Sequence, residues 1–109
     1  IVFFRYNRFM ENVETFKTLS NEYRLKILTL LKEPKKHFYN ETKVDEVETG
    51  VCVGEIQKLL NLTQSTTSHY LSMLEKDNLL IATRIGKWTY YRRNEEMISD
   101  FKNFILEEL

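Results

Sequence analysis

Apolar positions recur along this chain with two different periods, and each change of period marks a new element. Phe9, Val13 and Phe16 stand at i, i+4 and i+7, the spacing of one helix face. "LSNEYRLKILTLLKEP" predicts a second helix. Ser20 or Asn21 can cap it, Tyr23, Ile27, Leu30 and Leu31 line one side, and Pro34 ends it. Residues 35–50 mix charges of both signs without a period and read as a loop or irregular insertion, with a short strand at its end. Val51 to Val53 suit that strand. Val53, Ile56 and Leu60 then suit a short helix, and Leu62-Thr63 a turn into the next one. Asn78 follows that helix, where left-handed backbone commonly ends a helix. "LLIATRIGKWTYYRRN" is rich in β-branched and aromatic residues around Gly86-Lys87 and reads as a β-hairpin. Ile98, Phe101, Ile105 and Leu109 return to helical spacing. The expected fold is mainly α with a small β-hairpin, in the order α-α-β-α-α-β-β-α.

The helix beginning at "LTQSTTSHYLSML" has an unusual start. Short polar side chains compete for backbone hydrogen bonds and are weak helix formers, yet six of them, Thr63 to Ser68, stand in a row. With Thr63 as N-cap, its hydroxyl can accept from an N–H two or three residues on. At about 100° per residue, Thr67, Leu71 and Leu74 share a core face with Tyr70 beside them. Ser65, His69, Ser72 and Lys76 lie opposite, and Gln64 and Ser68 form a neighbouring stripe. One helix therefore has a buried side and a cluster of small donors and acceptors in its first two turns. A short helix and a tight turn precede it, which is a helix-turn-helix arrangement whose second helix presents its start to the DNA major groove. Gln, Ser and His can donate and accept at base edges and phosphates. The basic hairpin that follows has the character of a wing, with Arg84 and Lys87 flanking its turn. Trp88, Tyr90 and Ile85 are expected to pack rather than to stack on bases.

Composition and charge narrow the reading. A length of 109 residues suits one domain, and three Gly and one Pro argue against a turn-rich sandwich or barrel. The formal charge is zero, but unevenly distributed. Arg84, Lys87, Arg92 and Arg93 give residues 84–93 four positive charges and no acids, whereas residues 94–109 carry five acids against Lys102. A local basic stripe matters more to an anionic partner than the whole-chain sum. Arg92 and Arg93 lie at the end of the hairpin, where pairing with the acidic tail competes with DNA. No apolar run approaches a membrane span, and the opening "IVFF" is too short for a signal-peptide core. Because the sequence opens on Ile1 rather than Met, it reads either as a fragment or as a chain whose biological start is Met10. A single Cys52 cannot form an internal disulfide, which fits a reducing, cytoplasmic setting.

Together, "FKTLSNEYRLKILTLL", "VCVGEIQKLLNLTQSTTSHYLSMLEKDNLL" and "IGKWTYYRRN" resemble the ArsR/SmtB family of winged-helix transcriptional repressors. The resemblance covers most of Phe16 to Asn94. It implies a homodimer, paired through the first and last helices, that binds a double-stranded operator with inverted symmetry and is released by an inducer. It places DNA contacts on Gln64, Ser65, Ser68 and His69, and makes the chain one winged-helix domain. Within that domain, residues 1–15 are an N-terminal segment and helix, 35–50 the insertion, 52–77 the helix-turn-helix, 79–93 the wing and 95–109 the dimerisation helix.

The family's metal chemistry does not carry over. Where one family site has Cys-Val-Cys, this sequence has Cys52-Val53-Gly54, and residues 94–109 hold no His for the other. One thiolate cannot make a three- or four-ligand soft-metal site, so no metal or cofactor is expected. Cys52 remains either a thiol sensor, which needs access and a lowered pKa, or a small buried apolar residue. The insertion is read as extending a dimer, touching DNA flanks through Lys35 and Lys36, or forming a passive mobile loop, with the last favoured. No paired carboxylates, Gly-rich phosphate loop or Cys/His pair suggests an enzyme. The rival reading is a winged-helix protein–protein module without DNA binding.

Overall fold

The computed structural model describes residues 2–109, with side chains described from Tyr6 onward. Ile1, and with it part of the reading of "IVFF", lies outside the described residues. The order is α1 (Val2–Leu19), α2 (Glu22–Leu30), α3 (Pro34–His37), β1 (Val51–Cys52), α4 (Val53–Leu60), α5 (Gln64–Lys76), β2 (Leu80–Ile85), β3 (Trp88–Arg93) and α6 (Glu95–Glu108). Six helices accompany a three-stranded antiparallel sheet in which β3 lies between β1 and β2. This is the winged helix-turn-helix expected from the sequence.

Local chemistry sets the boundaries. Of the two capping candidates, Asn21 does the work, its Oδ1 accepting from the Tyr23 and Arg24 N–H groups at 2.9 and 3.1 Å. Arg24 Nε donates to Thr18 O at 2.6 Å, which ties α2 back to the end of α1. Asn61 ends α4 with left-handed backbone (φ 53°). Asn78 does the same after α5 (φ 61°), where the Leu79 N–H reaches Leu74 O and the Asn78 N–H reaches Glu75 O, the bond pattern of a Schellman end. At the close of the chain, Asn94 caps α6 by accepting from the Met97 N–H.

Ile27, Val51, Ile56, Leu71, Leu74, Leu79 and Leu80 form the centre of one core, all nearly or fully excluded from solvent. Full burial of each such side chain contributes about 1.5–3 kcal/mol. α2, α4 and α5 thus share one apolar floor with β1 and β2, which fixes how α5 is presented.

Three expectations need correction. Pro34 does not end the second helix: α2 stops at Leu30, and Pro34 sits at the first position of α3, where its missing N–H leaves nothing unpaired. Nor is the insertion an unheld loop. The Asn40 side chain is fully buried, donating to Val44 O (3.0 Å) and Gly50 O (2.8 Å) and accepting from the Cys52 N–H (2.9 Å). Glu46 accepts from the Asn40 N–H at 2.7 Å, Lys35 pairs with Asp45 and Glu46, and the Tyr90 hydroxyl donates to Thr42. Finally, Trp88 and Ile85 do not pack into the core. They are 44% and 47% exposed, whereas Tyr90 is buried. The reason is topological: β1 pairs with β3 only at Tyr90 and Tyr91, so the hairpin beyond them has no third strand beside it.

Candidate nucleic-acid interface

The start of α5 follows from its cap. Thr63 is extended (φ −69°, ψ 158°), and its Oγ1 accepts from the Thr66 N–H at 3.2 Å. Thr67 turns inward, its hydroxyl donating to Thr63 O at 2.8 Å, and is fully buried with Leu71 and Leu74. Tyr70 stacks on Tyr23 with ring centroids 5.9 Å apart, and the Arg24 guanidinium lies 5.7 Å from the Tyr70 ring. The Tyr70 side is therefore held by α2. These contacts fix the rotation of α5 about its axis.

Gln64, Ser65, Ser68 and His69 are left exposed on the other side, all within the first two turns. Ser65 Oγ lies 3.5 Å from Thr63 Oγ1, at the edge of the cap. No acid stands in the first turn of α5. Free N–H groups and the positive end of the helix dipole therefore meet solvent without a competing carboxylate. The surface suits an anionic partner and offers both donors and acceptors to it.

The hairpin turn is Gly86-Lys87, closed by the opposed pair Ile85 and Trp88. Gly86 has φ +60° and Lys87 does not take positive φ, the pattern of a two-residue turn with glycine at its first central position. Arg84 Nε donates to Gly86 O at 3.3 Å, and the Lys87 ammonium lies 5.0 Å from the Trp88 ring centroid. Both cations are exposed at the tip. Arg93 is not part of this cationic surface. It is buried, paired with Glu95 at 2.9 Å and donating to Leu28 O at 3.3 Å, so it joins β3, α2 and α6. Arg92 is half-buried.

Cys52 belongs to neither surface. It is 6% exposed, precedes α4 and pairs with Tyr90 across the sheet, a placement suited to packing. Among the described residues no three His, Cys, Asp or Glu side chains are grouped to hold a metal ion. Also among the described residues, no helix is long and apolar enough to cross a membrane. Sequence reasoning missed Asn40 and the exposure of Ile85 and Trp88. A signal existed for the latter, because both residues flank a two-residue turn, the point of a hairpin farthest from any core.

A capped helix-turn-helix with an attached basic wing defines a winged-helix DNA-binding protein. The family described as "Bacterial regulatory protein, arsR family" matches residues 50–82, which span β1, α4, α5 and the start of β2. The chain is 49% identical over 100 residues, 92% of its length and 100% of the other's, to the uncharacterized HTH-type transcriptional regulator YbzH of Bacillus subtilis (strain 168). It is 29% identical to the transcriptional repressor SdpR of the same organism, over 89% of each chain. Among solved structures it resembles the homodimeric winged helix-turn-helix DNA-binding domain Mb0332 of Mycobacterium bovis. That match has a TM-score of 0.63 and 24% identity over 90% of this chain and 78% of that one. The chain belongs to the ArsR family of bacterial transcriptional regulators. It is a DNA-binding regulator and not an enzyme.

Proposed function

We propose that the protein is a cytoplasmic homodimeric repressor that binds an inverted-repeat operator and is released by an inducer. The recognition helix is α5. Gln64, Ser68 and His69 meet base edges in the major groove, with Ser65 at the adjoining phosphate. Arg84 and Lys87 hold phosphates from the wing. The observation that carries this reading is the division of α5 into a locked inner face and an exposed polar start without acids. A helix that only packed would not need Gln64, Ser68 and His69 on its outer side.

Dimerisation is supported by apolar side chains left outside the core. Phe9 and Phe16 are 54% and 41% exposed although their rings also touch Phe104 and Phe101 of α6 at 6.1 and 4.9 Å. Tyr6 and Met10 extend the same stripe of α1, and Leu106 and Leu109 are exposed at the end of the chain. A second copy would cover these residues, and two-fold pairing would present two recognition helices to two half-sites. The homodimeric Mb0332 domain is consistent with that arrangement.

The test is a gel-shift titration on an operator recovered by binding-site selection. Gln64→Ala and Ser68→Ala should each relax base preference, a good bidentate base contact being worth about 1–3 kcal/mol. Unchanged operator affinity and preference in both variants would refute the recognition-helix assignment.

A further inference from the structure

The wing tip joins cations to an uncovered apolar pair. Ile85 and Trp88 are directly opposed across the hairpin and stand on one face of it. Both are large, both are about half exposed, and β1 ends before it reaches them. The indole borders an open recess of about 380 Å³ between it and the start of α4, lined also by Glu41, Thr42, Gly54, Glu55 and Lys58, so the side chain has room on that side; Lys58 pairs with both carboxylates. Lys87 rides over the ring and Arg84 is anchored to the turn carbonyl. Phosphate binding alone explains the two cations. It does not explain an exposed Ile–Trp pair, which costs solubility and offers nothing to a phosphate.

We propose that Ile85 and Trp88 form an apolar wedge that enters the minor groove beside the half-site and packs on sugar and base edges there. This rests on the DNA-binding reading above and adds a specificity element to it. Flanking cations draw the tip to a narrow, strongly negative groove, and apolar side chains pressed into a minor groove favour sequences that open or bend easily. Arg84 and Lys87 thus supply attraction, while Ile85 and Trp88 supply a preference for deformable flanks. The preference acts through DNA shape rather than a base-specific hydrogen bond.

Trp88 is the only tryptophan, so the emission of the wild-type protein reports this residue alone. The probes are a duplex recovered by binding-site selection and copies of it whose flanks are changed to G·C-rich sequence. Binding to the selected duplex should shift Trp88 emission and lower its quenching by acrylamide. Trp88→Ala should bind that duplex about tenfold more weakly, in line with the loss of an aromatic contact to nucleic acid. Its ratio of affinities for original and G·C-rich flanks should fall towards one. Its salt slope should not change, because no phosphate neutralisation is removed. Trp88→Phe should recover most of the affinity, and Ile85→Ser should repeat the loss of flank preference if its thermal midpoint matches the wild type. Anisotropy showing a complex while emission and acrylamide quenching stay as in the free protein would overturn the wedge and leave DNA binding standing. So would equal flank ratios for wild type and Trp88→Ala. Absence of any complex at low salt would overturn both.

Discussion

Asn40→Ala should destabilise the protein by about 3 kcal/mol, although residue 40 lies in the segment with the least regular sequence. Its amide joins three backbone groups: Val44 O, Gly50 O and the Cys52 N–H. The bonds to Gly50 and Cys52 are buried, and alanine leaves that carbonyl and that N–H with no partner and no water. A typical hydrogen bond contributes about 1 kcal/mol net, and an orphaned buried group costs about 1–3 kcal/mol. Two orphans at the lower part of that range, plus the more accessible Val44 bond, give the figure of about 3 kcal/mol. Gly50 cannot move to compensate. It has φ +125°, and the position a Cβ would take is 2.5 Å from Tyr91 O, so the backbones already touch. For a domain of this size, 1 kcal/mol corresponds to roughly 4–8 °C in Tm, so the variant should melt at least about 10 °C lower. The assay is thermal and urea unfolding followed by circular dichroism. A loss below about 1 kcal/mol would refute the claim that this amide holds the insertion to β1.

Three further outcomes follow from the same structure. Asp77, at the end of α5, has its pKa raised by burial. Nearby Thr15 and Thr18 oppose the shift, but Thr15 gives its proton to Glu11 O and Oδ2 has no partner. A raised folded pKa means that ionisation works against folding. Asp77→Asn should therefore be more stable than wild type at pH 7, with the difference vanishing below the ordinary Asp value of 3.8. A less stable variant at pH 7 in urea titration would contradict this. Arg84→Ala and Lys87→Ala should weaken binding to all duplexes, each lowering the slope of log K against log salt by about one. An unchanged slope would remove that side chain from the phosphate contacts. The double change Tyr6→Glu and Met10→Glu should convert dimer to monomer in sedimentation at micromolar concentration, because about 1.5–3 kcal/mol of apolar burial per side chain is replaced by charge. A dimer that persists would exclude this stripe of α1 from the interface.

The build of α5 was legible because its information is local. A cap, a 3.6-residue period and a run of short polar residues together specify which side of α5 is buried, and Thr67, Leu71 and Leu74 are buried as expected. Asn78 was legible for the same reason, since a left-handed helix end depends on its own few residues. The insertion was not, because its order comes from one amide bonding groups four to twelve residues away, which no period records. The wing misled in the opposite sense. Alternation in β3 marks two faces but not how far the third strand reaches, and β1 stops before Trp88. Arg93 shows the same limit in charge. Its pairing with the acidic tail was one of two readings open in the sequence and is found at Glu95, but its burial and its bond to Leu28 O, 65 residues away, follow from no local pattern.

The central claim is that α5 of two paired copies reads DNA. Binding-site selection from a random duplex pool with the purified protein tests it most directly. An enriched inverted repeat is expected, with half-site centres about 10–10.5 base pairs, or a multiple of that, apart. The enrichment should be lost in Gln64→Ala combined with Ser68→Ala. A pool that stays unenriched at low salt, or a site that survives both substitutions with its sequence unchanged, would contradict it.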